Sequence, residues 1–378
     1  MKSVVIAGYL RSPFHFAKKG ALARVRPDEM LAAVIAALIQ KTGVKPEEIE
    51  DVLVGCAMPE GEQGLNIARL ASFLAHLPVT VGGATINRFC GSSMQVIHMA
   101  AGAIQLDAGN AFICAGVESM SRIPMGGFNP LPHPGLMKEF PQAYISMGET
   151  AENVARKYQV TREQQQELAV ASHRKAAAAQ QAGRLSGEIV PIKTRDGVVA
   201  ADGCIRPDTS QEALSGLAPA FAADGTVTAG TSSPLTDGAA AVLVCSEDYA
   251  QRNNLPVLAR LKSVAVAGCA PEMMGIGPVA ATQKALKRAG LEMKDIDIIE
   301  LNEAFASQAL ACMRDLGIEP ARVNLDGGAL ALGHPLGATG ARITGKAAAL
   351  LKREGKRYAL ATQCIGGGQG IATILEAV

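Results

Sequence analysis

Aromatic side chains are scarce, at 4% with no tryptophan among 378 residues, so the interior has to be built from aliphatic residues. The 40 glycines suit such a core, because they permit tight turns and close packing of helix on sheet. Net charge is nearly absent. A value of +1 at pH 7 predicts no special attraction to nucleic acid and no membrane insertion. The eight cysteines, at 56, 90, 114, 204, 245, 269, 312 and 364, show no paired short spacing. Neither a zinc site nor a disulfide framework is therefore indicated, and reduced thiols point to a reducing, cytoplasmic location. Histidines 15, 76, 98, 133 and 173 lack metal-ligand spacing, so no metal is expected. Gly275-Ile276-Gly277 lacks the third glycine of a dinucleotide fingerprint, and no Walker-type lysine motif occurs. A cofactor that is reduced or hydrolysed is therefore not expected. The chain passes from Met1-Lys2-Ser3 straight into the strand-like 4–7, and its last residues form no retention or peroxisomal tripeptide. No leader or address signal is expected.

What is present is an internal repeat. From residue 36 a helical pattern stops at Gly43, turns through Pro46 and Glu48, and becomes a strand over 49–54. The same succession runs from 284 to 301, with Gly290 as the stop, Asp295 in the turn and a strand over 296–301; the offset is 247 residues. It also carries Ser92 onto Thr339, each expected to open a helix. Two α/β halves follow, with mixed or mostly parallel sheets sandwiched by helices, and their equivalent helix N-termini turned toward one cleft. Residues 118–233 break the pattern, with prolines at 124, 130, 132, 134 and 141, helical character over 151–182, and a polar, turn-rich remainder. This segment reads as an inserted loop domain. The expected division is an N-terminal half over 1–117 completed by 234–250, the insertion over 118–233, and a C-terminal half over 251–378.

Cys90 lies where a strand-like stretch meets Gly91-Ser92-Ser93, followed by apolar residues at helical spacing, Ile97, Ala100, Ala101 and Ile104. The free N–H groups of a helix start face such a cysteine and favour its thiolate. A buried turn cysteine explains the same residues equally well. In the second half His334 sits within Gly333-His334-Pro335, where an imidazole has little to do for helix or strand. Cys364 follows the strand-like 358–362 and precedes Gly366-Gly367-Gly368, a backbone suited to presenting N–H groups to an oxyanion. Between them stands Glu300-Leu301-Asn302-Glu303-Ala304-Phe305-Ala306 at the end of an apolar strand, where asparagine is often only a helix cap.

Taken in order, the runs 87–95, 302–306, 327–340 and 364–370 resemble the thiolase family, with support from 147–153 and 225–240. The resemblance covers essentially the whole chain. It implies a layered α-β-α-β-α arrangement of duplicated halves with an inserted loop domain, and coenzyme A and acyl-CoA as substrates with no further cofactor. It also implies a nucleophile at Cys90, a base at His334 and a proton-exchanging thiol at Cys364. Asn302, with a water and His334, would form one oxyanion site, and the N–H groups of Cys90 and Gly366 the other. Ser233 and Met274 match segments that contact pantetheine in the family, and Lys193, Arg195 and Arg206 are candidates for the phosphates, although a solvated basic face accounts for each of them. Family members that make acetoacetyl-CoA typically carry histidine where this chain has Ser146, and the wording of 88–95 looks degradative. The expectation is a degradative 3-ketoacyl-CoA thiolase, forming a homo-oligomer (dimer or tetramer), with a hydratase and dehydrogenase partner open to it. The alternatives are a biosynthetic acetyl-CoA acetyltransferase, a non-catalytic acyl-CoA-binding protein, and a cysteine acyl hydrolase, which would leave Cys364 unexplained. A decarboxylating condensing enzyme would be expected to show a second histidine in place of Cys364.

Overall fold

Each long strand presents alternate residues to two different helical layers, and this alternation is the plan of the molecule. In the computed structural model, which describes residues 2–378, Val5 and Ala7 of β1 (Val4–Arg11) enter one core while Val4 and Ile6 enter another. The first half-sheet runs in the order β4 (Gly82–Ile86), β3 (Asp51–Gly55), β5 (Ala111–Ser119), β8 (Thr236–Ser246), β1, with the short β2 (His15–Phe16) on β8. The second runs β9 (Ala259–Gly268), β12 (Gln369–Glu376), β11 (Tyr358–Ile365), β10 (Ile298–Leu301). They pair through Val5↔Arg260 and Ile6↔Ala259 on β1 and β9. Pairing is mixed: β3 is parallel to β4 and β5, and β10 is parallel to β11, while β8 and β12 run antiparallel to their neighbours. The strands β6 (Ile192–Thr194) and β7 (Gly197–Val199) form a separate hairpin.

Helices α1 (Pro27–Thr42) and α2 (Ile67–Leu74) pack their apolar faces on the outer side of the first half-sheet. Helix α3 (Ser92–Gln105) lies between the two half-sheets. Four helices follow before β8: α4 (Pro134–Glu139), α5 (Met147–Lys157), α6 (Arg162–Gln181) and α7 (Gln211–Ser215). After α8 (Glu247–Arg252), α9 (Gly277–Ala289) and α10 (Ala306–Leu316) cover the outer side of the second half-sheet. The single turn α11 (Ala329–Leu332) then leads to α12 (Leu336–Glu354), which shares the middle core with α3. The order α1/α2, sheet, α3/α12, sheet, α9/α10 is the expected five-layer arrangement.

The repeat is borne by local geometry. Gly43 and Gly290 both end helices with left-handed φ values of 72° and 68°, where a glycine carries no Cβ penalty. A single helical turn follows in each half, Pro46–Glu48 and Met293–Asp295. Three expectations need adjustment. The helix after His334 opens at Leu336, with Pro335 at its N-cap and Thr339 within its first turn, because the fixed φ of proline suits a helix entry. The helical stretch over 151–182 is two helices, broken where Gln159 turns left-handed (φ 50°) and Thr161 caps α6 with a reciprocal bond to Gln164. The strand over 296–301 begins two residues later, since Ile296 closes the preceding turn.

The middle layer depends on backbone contact between the halves. A Cβ added to Gly116 on β5 would lie 2.1 Å from the carbonyl oxygen of Gly337, and one on Gly340 would lie 2.3 Å from the Met94 nitrogen. Ala341 N–H donates to Ser93 Oγ at 2.8 Å, so α3 and α12 meet at their N-terminal turns. Gly116→Ala is expected to displace α12 and destabilise the fold by about 3 kcal/mol, the upper part of the usual overpacking range. Thermal unfolding reads this as a clear fall in Tm; an unchanged Tm would mean the layers have room that this packing denies.

Candidate active site

Strand β4 delivers Cys90 to the mouth of α3 through a strained turn. Phe89 adopts φ +42°, a left-handed conformation that is uncommon for a bulky residue and calls for support from its surroundings. Asn87 Oδ1 accepts from Phe89 N–H at 2.8 Å, and Ser92 Oγ accepts from Arg88 N–H at 2.8 Å while donating to the Phe89 carbonyl at 2.6 Å. Gln363, one residue before Cys364, donates through Nε2 to the Cys90 carbonyl and joins β11 to this turn. Cys90 is half-buried. The backbone N–H groups of Gly366 and of Cys90 itself both act on its sulfur, so the two donors expected to form an oxyanion site meet at the nucleophile.

The expected thiolate is not the resting form. Burial pushes the Cys90 thiol up to about 11, and the Glu118 carboxylate adds to the rise, against the smaller opposing pull of the two N–H groups. Desolvation of a charge outweighs the helix N-terminus here. His334 is displaced the other way: burial, then the positive charge of Arg342, lower it to about 3. At neutral pH both groups are uncharged, a thiol awaiting a base and an imidazole able to serve as one.

The tautomer of His334 follows from its neighbours. Thr339 Oγ1 lies 2.7 Å from Nδ1 and donates its own hydrogen to the Pro335 carbonyl at 3.1 Å, so it accepts from Nδ1–H. Nε2 therefore carries the lone pair. Asn302 Nδ2 lies 3.4 Å from Nε2, a long contact that leaves the lone pair accessible, while Asn302 Oδ1 is buried without a partner. Asn302 is not a helix cap, since α10 begins at Ala306 with Phe305 at its N-cap. Gly333, with φ +101°, has no room for a side chain, because a Cβ would lie 2.6 Å from Thr236 Oγ1, and that same hydroxyl accepts from His334 N–H at 3.0 Å.

Cys364 ends β11, one residue inside the strand rather than after it, and is buried. Burial raises its thiol well above the usual range, with Cys90 and Cys312 adding to the rise. Around it cluster Ala151, Val227, Met274, Ala304, Phe305 and Met147. Phe221 stacks edge-on against Phe305 at 5.8 Å. These side chains form a buried apolar cluster around the Cys364 thiol. Met274 belongs to it. Ser233 borders it, half-buried and donating its N–H to the Ala304 carbonyl at 2.9 Å. Lys193, Arg195 and Arg206 lie instead on the exposed face, with Arg206 5.9 Å from the Phe16 ring centre. Ser146 is an exposed N-cap for α5, in a reciprocal bond pair with Glu149.

Two supporting carboxylates are deeply buried. Glu118 accepts from Ala57 N–H at 2.8 Å, Met58 N–H at 3.2 Å, Gln63 Nε2 at 2.8 Å and Gly337 N–H at 2.9 Å, joining the Cys56–Met58 turn to the start of α12. Glu303 takes Ser172 Oγ and Asn324 Nδ2, each at 2.7 Å, and Leu330 N–H at 3.2 Å, fixing the loop before His334 against α6. Sequence reading assigned no site role to Thr339, Glu118 or Gln363. The repeat held one signal: Thr339 is the counterpart of Ser92, and the two hydroxyls brace His334 and the Cys90 turn respectively. Thr339→Val is expected to lower kcat about tenfold or more with little change in KM, as loss of a bond that orients a working histidine does. Thr339→Ser should restore most of it, and an unchanged kcat for the valine variant would sink the tautomer assignment.

Among the described residues no group of three or more His, Cys, Asp or Glu could hold a metal, and no helix is long and apolar enough to cross a membrane. All eight cysteines are free. Comparison with known proteins gives one answer throughout. The family model described as "Thiolase, N-terminal domain" matches residues 4–248, and "Thiolase, C-terminal domain" matches 255–377. A curated protein named 3-ketoacyl-CoA thiolase from Bacillus subtilis (strain 168) is 46% identical over 389 residues, covering 100% of both chains. One of the same name from Vibrio vulnificus (strain CMCP6) is 48% identical over 388 residues, again covering 100% of both. The crystal structure of human mitochondrial 3-ketoacyl-CoA thiolase in complex with CoA superposes with a TM-score of 0.92 at 37% identity, covering 100% of this chain and 98% of that one.

Proposed function

This chain belongs to the thiolase family, and on that footing we propose that it is an acyltransferase that cleaves 3-ketoacyl-CoA with coenzyme A, giving acetyl-CoA and a shortened acyl-CoA. The observation that carries this reading is the pair of neighbouring thiols, Cys90 and Cys364, with the Gly366 N–H at the Cys90 sulfur and a neutral His334, its Nε2 unprotonated, at the start of α12, where that helix meets the N-terminal turn of α3. His334 takes the Cys90 proton as the sulfur attacks the C3 carbonyl. The resulting oxyanion is held by the Cys90 and Gly366 N–H groups and collapses with cleavage of the C2–C3 bond. The electron pair leaves as the enolate of acetyl-CoA, which takes its proton from Cys364. Coenzyme A then gives its thiol proton to the Cys364 thiolate and attacks the acyl-Cys90 thioester, while His334 returns the proton to Cys90. Asn302, with a water and His334, steadies the enolate oxygen; removal of one such donor typically costs about 3 kcal/mol.

The same proposal takes Met274 and Ser233 as contacts of the substrate arm and needs no cofactor beyond the coenzyme A substrates. It keeps residues 118–233 as an inserted domain covering the site, with halves over 1–117 plus 234–250 and 251–378. It places the enzyme in the cytoplasm, in keeping with its free thiols. A homo-oligomer, dimer or tetramer, is supported by the terminal position of β4 in its sheet and by exposed Leu65, Phe73, Leu74 and Val79 nearby. A hydratase and dehydrogenase partner remains part of the reading through its degradative direction.

The test is loss of the enolate absorbance of 3-ketoacyl-CoA substrates of several chain lengths, with and without free coenzyme A. Cleavage that requires coenzyme A and extends beyond acetoacetyl-CoA is expected. Cleavage indifferent to coenzyme A would favour a hydrolase, and activity confined to acetoacetyl-CoA would favour the biosynthetic reaction.

A further inference from the structure

One face of α12 carries Thr339, Arg342, Lys346 and Arg353, spaced so that they stack along the helix. Thr339 holds His334, and the next turn places Arg342 behind it. Arg342 is 1% exposed and Glu300, on β10, is fully buried, and they make one bond, Nη1 to Oε2 at 2.8 Å. That pairing is incomplete: Arg342 Nε and Nη2, Glu300 Oε1 and the nearby Tyr9 hydroxyl are all buried without partners. The neighbouring cation Lys346 is fully engaged by Glu188 at 2.8 Å and Asp326 at 2.7 Å. A buried guanidinium with a single anionic contact and two unpaired nitrogens keeps uncompensated charge within one helical turn of Thr339, the residue that holds the base.

We propose that Arg342 and Glu300 are a positioning pair that sets the basicity of His334: the carboxylate, when ionised, offsets the guanidinium and allows the imidazole to take the Cys90 proton. The proposal rests on the thiolase reading of Cys90 and His334. Burial raises the Glu300 carboxyl to about 7, with Arg342 and Lys346 opposing the rise and Asp326 and Glu188 adding to it. Lys175 on α6 and Tyr9 on β1 also feel its charge. After burial, the charge of Arg342 is what lowers His334. The sign follows. Below about pH 7 Glu300 is neutral, Arg342 stands unbalanced and His334 resists protonation; above it the pair is balanced and proton transfer from Cys90 becomes easier.

The experiment measures alkylation of Cys90 by iodoacetamide between about pH 5.5 and 8.5, read on the Cys90 peptide by mass spectrometry, for wild type, Glu300→Gln, Arg342→Lys and the double variant Arg342→Met/Glu300→Gln. The ratio of wild-type to Glu300→Gln rate constants should rise from about 1 below pH 6 to about 10 above pH 8, the effect of one nearby charge. Arg342→Lys, which keeps the cation, should retain the pH step. The double variant should recover most of the loss of Glu300→Gln and show no step, because neither charge remains. A ratio that does not change with pH, or a double variant slower than Glu300→Gln, would overturn the proposal. The latter pattern belongs to residues that only support the fold. Persistence of thiolytic turnover in Cys90→Ala would instead refute the underlying reading.

Discussion

Cys90→Ala is expected to lower turnover about ten-thousand-fold or more, the scale on which removal of a covalent nucleophile acts. No second group stands ready to replace it. Cys364 is buried, and its thiol is held well above the usual range by burial and by its neighbouring cysteines. The fold should tolerate the change, since Cys90 is half-buried and its turn is held by Ser92, Asn87 and Gln363 rather than by its own side chain. Loss of activity with an unchanged Tm is the predicted pair of results. Cleavage that survives in the alanine variant would remove the acyl-enzyme from the mechanism.

Cys364→Ala carries the second large effect, and its pattern is more informative than its size. Cleavage of 3-ketoacyl-CoA should fall about a thousandfold, within the range of general acid–base contributions, because the departing enolate loses its proton donor. Exchange of an acetyl group between acetyl-CoA and free coenzyme A forms no enolate, so Cys364 keeps its proton and His334 alone shuttles the proton between Cys90 and coenzyme A; exchange should persist within about tenfold of wild type. Equal loss of both reactions would place Cys364 in acyl transfer itself; equal retention would deny it the proton.

Much of this arrangement was legible in the chain. The offset of 247 that carries Gly43 onto Gly290 also carries Ala111, the first residue of β5, onto Tyr358, the first of β11. Turn chemistry and strand patterning are local, and duplication made them visible twice. The same offset places Cys90 opposite Gly337, whose N–H is held by Glu118, so one half contributes the nucleophile where the other contributes a backbone contact. The electrostatics were not legible. A helix start argues for a thiolate at Cys90, but its burial comes from residues far off in the chain, Ala17, Ala57, Met120 and Leu336, and it reverses the sign. Glu118 and Glu300 sit in apolar strand patterns, and nothing local tells a carboxylate bound by four donors from one left half-paired against Arg342. The repeat makes Thr339 a helix opener like Ser92; its bond to His334 depends on where Pro335 starts α12.

The most direct test of the account is to mix the enzyme with a 3-ketoacyl-CoA in the absence of free coenzyme A, quench within one turnover, and locate the acyl group by peptide mass spectrometry. The predicted result is the substrate's acyl chain, shortened by the acetyl unit, on the peptide bearing Cys90, discharged when coenzyme A is added. An acyl group on Cys364, or cleavage with no acyl-enzyme at all, would contradict it.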